Sequence, residues 1–431
     1  MSRCGIEPRV GAKGAEPKAP FRPDVTDSAD ARPRDMDASL RPGRTTNLTL
    51  LAASSLTVMS GAAIAPALPA MRTAFATAQE VDLLVRLVLT TPALFIATLA
   101  VALGGLVDRI DRRRMLAVGA ALFAAAGSSG LWLDHLVPIL IARGVLGVSV
   151  AIVMTASTAL IADYYEGRRR ARLLGLQSAF MAFGGVVFLL VGGLLADLSW
   201  RGPFAIYLLA IPIAAAALSL PAPRSTAPES PRRGEFPWLG VLGLGLAAFA
   251  SMLLFYALPT QLPFDLRARL DLGGLEAGAA IAMCNLTAGL VSLRFEVFAR
   301  RLSPMAVLGV GFGLVGVGLC ALFAAPGFAA VLGATATIGL GMGLFMPTLN
   351  QWAVRRVPPT RRGTAAAVLV AGLFAGQFVS PLVGQPIAAA FGVRAVFAVL
   401  GAAALAGSAG LLGFARRDLR VAAARQTSPK W

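Results

Sequence analysis

The sequence predicts an all-α membrane protein whose twelve transmembrane helices form two six-helix bundles. Three observations predict it. Of the 431 residues, 57% are hydrophobic and only 14% charged, whereas a soluble domain is roughly a quarter charged. The apolar residues fall into twelve blocks of about the length an α-helix needs to cross hydrocarbon. The last six blocks also repeat features of the first six at a nearly constant offset.

Taken in order, residues 1–46 carry Pro, Gly, Arg and seven acidic residues with little apolar content, a composition that cannot offset the entropy of ordering, so they are read as a disordered cytoplasmic tail. The first apolar run starts only at Leu48 and more follow, which excludes a secretory signal. The N-terminal bundle, 47–220, holds spans at 48–70, 81–104, 115–133, 138–162, 173–196 and 203–220. A Pro- and Arg-containing cytoplasmic linker, 221–236, separates it from the C-terminal bundle, 237–415, with spans at 238–260, 277–299, 304–324, 328–354, 364–390 and 395–415. Residues 416–431 are read as a second cytoplasmic tail. Segments this short satisfy their own backbone groups in lipid only as helices.

The duplication rests on four matches in order. Ala67-Leu68-Pro69 returns as Ala257-Leu258-Pro259 and Met115 with Gly119 as Met305 with Gly309, both displaced by 190. Gly147 corresponds to Gly339, and Val191-Gly192 to Val383-Gly384, displaced by 192. Lys and Arg number 31 on one set of loops plus the tails and 5 on the other, which places both termini in the cytoplasm.

Composition also excludes. The net charge of +17 is spread between apolar blocks rather than gathered beside aromatic platforms, so nucleic acid is no partner. A single histidine, His135, and three cysteines, Cys4, Cys284 and Cys320, offer no metal site and no disulfide framework. No cofactor is expected. Two parallel halves with substrate held between them near the midplane is an arrangement used for alternating access.

The second loop on the cytoplasmic side reads Gly104-Gly105-Leu106-Val107-Asp108-Arg109-Ile110-Asp111-Arg112-Arg113-Arg114. It resembles the loop motif of the major facilitator superfamily, a Gly four residues before an Asp-Arg pair and then Gly-Arg-Arg, with Asp111 standing at the second Gly. Arg143 and Gly147 resemble the family's fourth-helix Arg and Gly, with Leu146 in place of Gln. Gly175, Gly184, Gly192 and Gly193 are similar to the glycines of its antiporter motif, whose Gly-Pro pair is here Phe188-Leu189.

The resemblance implies a conformational motif of Gly104, Asp108, Arg109, Arg112 and Arg113. It would set the Asp108 carboxylate near Gly363-Thr364, where a helix N-terminus is worth roughly 0.3–1 kcal/mol and biases the outward-facing state. The plainer alternative is a solvated turn that only sets topology. An Arg at the centre of a membrane helix costs roughly 2.5–3.5 kcal/mol and so marks function. Arg86 and Arg143 both lie near outer helix ends. We read Arg86 as snorkelling to the interface and Arg143, through its motif, as the coupling residue. Arg294 and Glu296 read as a salt-bridging pair without a substrate role.

Ser55, Thr155, Tyr256, Thr260, Asn350 and Gln377 are the substrate-cavity candidates, with Tyr256, Asn350 and Gln377 foremost because large polar side chains are hard to explain as helix glue. Asn285 and Gln385 are ambiguous between the same roles. Pro66, Pro69, Pro259, Pro347 and Pro381 read as gating breaks.

The expected function is secondary active transport of a small organic solute across a bacterial inner membrane. The first choice is proton-coupled efflux of a neutral or anionic drug or metabolite by a monomer, with solute, protons and lipid bilayer as partners. The bacterial setting rests on 36 Arg against three Lys, a GC-rich coding bias. The alternative is an importer or facilitator on the same fold. An intramembrane enzyme ranks below both, because no His or paired carboxylates converge in the membrane.

Overall fold

The computed structural model describes residues 43–102, 111–221, 238–357 and 362–427. Among them are eleven helices long and apolar enough to cross a membrane and a twelfth, Gly202–Leu218, that is apolar but shorter. α1 runs Arg44–Ala62, turns through Ala65–Ala67 and resumes over Leu68–Ala74. α2 is Val81–Ala102, α3 Arg112–Gly127, α4 Leu136–Tyr164, α5 Gly167–Leu198 and α6 Gly202–Leu218. α7 follows at Trp238–Leu270, α8 at Gly274–Leu293, α9 at Pro304–Ala324, α10 at Phe328–Arg356, α11 at Arg362–Phe391 and α12 at Val393–Thr427. The expected tail at 1–46 and linker at 221–236 fall largely outside the described residues.

Local chemistry sets the ends. Asp111 caps α3, its carboxylate accepting the Arg113 N–H at 3.0 Å, and Ser303 caps α9 ahead of Pro304. Gly392, at φ +86°, supplies the left-handed residue that reverses the chain between α11 and α12. In α1, Pro66 has no N–H to donate, so the helix breaks into a 3-10 turn.

Several boundaries differ from the sequence reading; α7, expected to end at Thr260, runs on to Leu270. α12 continues to Thr427, because Ala, Arg and Leu remain good helix formers past the apolar block. α8 ends at Leu293, and Glu296 pairs with Arg300 at 3.3 Å rather than with Arg294, since the spacing of four residues brings those two together on the short helix Phe295–Ala299. α6 opens as 3-10 helix over Gly202–Leu209 before turning α-helical over Ala210–Leu218. As pure α-helix its length would reach only about 25 Å; eight residues at the 3-10 rise lift it to about 29 Å, close to the hydrocarbon thickness.

The duplication is visible in packing. α1 packs on α4 and α5, α2 on α4, and α3 on α4 and α6. α7 packs on α10 and α11, α8 on α10, and α9 on α10 and α12. Every pair in the second set is the first displaced by six helices. The halves meet along two seams, α5 with α8 and α2 with α11, which the same displacement exchanges. Each half keeps its own aromatic core, Phe123 against Tyr207 at 5.4 Å in the first and Phe312 against Phe345 at 4.7 Å in the second.

Candidate functional site

A cavity of about 250 Å³ lies between the halves where the broken α1 meets α7. Its walls come from both halves: Thr57, Ser60 and Gly61 of α1, Met154 of α4, Met181 and Leu189 of α5, Met252, Phe255, Tyr256 and Pro259 of α7, Asn285 of α8, and Phe374 and Gln377 of α11. The lining is apolar and thioether-rich, and it holds no ionisable group other than the Tyr256 phenol. Unbranched methionines adapt to irregular apolar shapes. Asn285 and Gln377 add amide donors and acceptors, the few polar groups that orient a ligand in such a site.

Of the cavity candidates, Tyr256 and Gln377 line this space. Ser55, Thr155 and Thr260 lie outside its lining; their hydroxyls donate to their own helix, to Ala52 O at 2.7 Å, Ala151 O at 2.7 Å and Tyr256 O at 2.5 Å, as do those of Thr57 and Ser60 within it, so helix facing separates the two groups. Asn350 is exposed near the end of α10 and is also absent from the lining. Sequence reasoning passed over Thr57 and the three methionines. Met154, Met181 and Met252 look like ordinary core residues until the helix faces are known.

Arg143 is fully buried and ties three helices together. Its Nε donates to Val88 O of α2 at 2.8 Å, one terminal nitrogen to the Tyr207 hydroxyl of α6 at 3.0 Å, and the other to Ser60 O of α1. Both carbonyls are ones that helix breaks leave without their usual donor. Val88 lies four residues before Pro92, which has no N–H. Ser60 lies four before Ile64, whose N–H turns instead to Gly61 O as α1 tightens. Gly147, one turn further along the same face of α4, lets α2 approach, since a Cβ there would sit 2.8 Å from Pro92 Cα. The Arg-to-Gly spacing therefore seats α4 on the α2 kink and caps the carbonyl the kink frees.

Arg86 departs from the snorkelling expectation. It is 1% exposed, donates through Nε to Gln261 Oε1 of α7 at 3.2 Å and to Asp82 O at 2.5 Å, and lies 4.0 Å over the Phe264 ring. Asp82 is in its own helix, its carboxylate 3.4 Å away, while Gln261 and Phe264 lie across the interface between halves, so the charge turns toward a neighbouring helix rather than to the headgroups. A second bond set crosses between halves beside it: Asp197, at the end of α5, accepts from the Gly274 and Leu275 N–H groups that open α8. Both lie toward the end of the bundle opposite the termini, here called the distal end.

At the other end, Gly104, Asp108 and Arg109 fall outside the described residues. Arg112 pairs with Asp163 of α4, while Arg113 binds Asp111 at 3.0 Å and Leu220 O beyond α6 at 3.0 Å. These described bonds stay within the first half. The hydrogen bond from the Arg113 guanidinium holds the Asp111 carboxyl below its usual range.

Comparison with known proteins bears on this geometry. The model of the Major Facilitator Superfamily matches residues 50–244 and again 241–430, one match to each half. The chain is 26% identical over 345 residues to the multidrug efflux pump LfrA of Mycolicibacterium smegmatis, covering 64% of this chain and 68% of that protein. Among solved structures it superposes on a bacterial homologue of the human lysosomal transporter Spinster with TM-score 0.73 and 18% identity, over 86% of this chain and 96% of that one. It superposes on a D-xylose–proton symporter with TM-score 0.65 and 18% identity, over 85% and 96%. The two matches to the family model cover nearly the whole membrane region, and the chain belongs to the Major Facilitator Superfamily.

Proposed function

From that membership and an uncharged cavity, we propose that this multi-pass membrane protein exports a lipophilic solute, neutral or anionic, from a bacterial cell in exchange for protons. The excess of Lys and Arg on the termini side supports a cytoplasmic position for both ends and so an outer position for the distal face, where the bonds between Arg86 and Gln261 and between Asp197 and the start of α8 support an outward-closed reading. The observation that carries the substrate reading is the cavity wall: thioethers, aromatic rings and amides, with no carboxylate to pair a cation. LfrA, by name a multidrug efflux pump, supports the direction of transport. The import reading rests on the D-xylose–proton symporter, which shares the fold.

Everted membrane vesicles test both. With an imposed pH gradient, vesicles containing the protein are expected to accumulate the neutral dye Nile red more than the cation ethidium, and Gln377→Leu with Asn285→Leu is expected to change the ratio of the two. Equal uptake with and without the gradient removes proton exchange. Preference for ethidium removes the substrate reading, and loss of preloaded dye from the vesicles favours import.

A further inference from the structure

The two seams between the halves are equivalent by the internal repeat, yet they are built differently. In the α5/α8 seam, glycines bring backbone against backbone: a Cβ on Gly193 would sit 2.8 Å from the Gly274 carbonyl carbon. One turn beyond, Asp197 reaches across and accepts the Gly274 N–H at 2.5 Å and the Leu275 N–H at 3.0 Å. These are two of the four N–H groups that a helix start leaves without an internal partner, in a 20-residue helix whose dipole favours an anion there. Displaced by 192, the positions of Asp197 and Gly274 become Ala389 and Asp82. There the carboxylate faces its own half, pairing with Arg72 at 2.7 Å; a distal cleft lies beside each seam, about 470 Å³ at Asp197 and Gly274 and about 400 Å³ at Asp82 and Ala389, so the seams differ in the carboxylate bond and not in the cleft.

We propose that Asp197 is the clasp that biases the molecule toward its distally closed state: its carboxylate holds the start of α8 and must release it each time the distal side opens. The inference deepens the alternating-access reading above and rests on it. A carboxylate that belonged only to its own helix end would not span the interface to satisfy backbone donors of the other half. Nothing in the α2/α11 seam supplies a second carboxylate of this kind among the described residues. The release therefore acts on the α5/α8 seam, while α2 parts from the second half at the Arg86–Gln261 bond to α7.

The test uses the full chain in lipid nanodiscs with Cys4, Cys284 and Cys320 replaced by alanine. Spin labels go on His135→Cys and Ala324→Cys, exposed sites at distal helix ends in opposite halves. Pulsed electron–electron resonance then reads the ratio of the long, distally open distance to the short one. Asp197→Asn is expected to raise that ratio about fivefold, the scale of one exposed, charge-assisted cap. Leu275→Pro deletes a single N–H donor at a position where a helix accepts proline and leaves Asp197 untouched; it is expected to move the ratio the same way. Combined, the two should add to less than their separate effects, and Asp197→Glu should restore much of the closed population.

Two populations with a ratio unchanged in both Asp197→Asn and Leu275→Pro overturn the clasp while leaving alternating access standing. A single distance that no variant and no solute moves overturns both. If Asp197→Asn fails to yield a monodisperse protein, Leu275→Pro alone decides.

Discussion

Substituting Arg143 with methionine keeps most of the side-chain volume and removes every donor. The structure sets the cost. Val88 O loses its donor and, being opposite Pro92, has no backbone N–H to turn to, while Ser60 O keeps the Tyr207 hydroxyl at 2.8 Å. A buried acceptor left unpaired costs about 1–3 kcal/mol, and loss of a charge-assisted bond costs on that same scale. In membrane bundles the measured values run lower, near ~0.6 kcal/mol per bond, so about 2 kcal/mol for Arg143→Met is the working figure. Pro92→Ala then provides the discriminating background, because that substitution restores the N–H that Val88 O lacks. The double variant should be destabilised by about 1 kcal/mol less than the single effects add to. Equilibrium unfolding of purified protein in mixed SDS micelles measures all four corners of the cycle. If Arg143→Met costs the same in both backgrounds, Arg143 is not serving the kink. Transport of Nile red should fall in the single variant and recover in part in the double. Recovery of stability with no recovery of transport would assign Arg143 a further role in coupling.

Two more outcomes follow from the same elements. Gly147→Ala drives a methyl group into Pro92 and should cost about 1–3 kcal/mol by the same unfolding assay, with the larger figure if α2 cannot shift. The depressed Asp111 carboxyl contributes stability that is present above its unfolded pKa and lost as pH falls through its folded value. The melting temperature should therefore drop as the pH falls below the ordinary carboxylate range, and Arg113→Gln should flatten that acid limb. A pH profile unaltered by Arg113→Gln removes Asp111 from the account.

Much of the architecture could be read before any coordinates, because in a membrane the length of an apolar block and the sign of its flanks are themselves the structural constraint. The repeat offset anticipated packing that recurs with a displacement of six helices. Arg143 stood out through the motif that it and Gly147 resemble, since its place near an outer helix end is one that Arg86 shares. What remained hidden depends on facing. Arg86 lies five residues into α2, where a side chain reaches headgroups or a neighbouring helix equally well, and only the presence of Gln261 and Phe264 beside it fixes which. Asp197, at the end of a helix, has the sequence signature of a solvated residue. Ser55 and Thr260 could not be told from cavity-lining residues such as Thr57 and Ser60, since all four hydroxyls fold back on their own helix and only its facing decides which of them line the space. The 3-10 start of α6 likewise has no periodic signature over eight residues.

The three thioethers that wall the central space carry a chemical liability. Oxidation of Met154, Met181 or Met252 to the sulfoxide would exchange a compliant apolar surface for a polar, chiral one in the space proposed above for a lipophilic solute. On the export proposed above, a cell under oxidant attack would then lose transport without losing the protein, and sulfoxide reductases, acting on the folded chain, would become part of its maintenance.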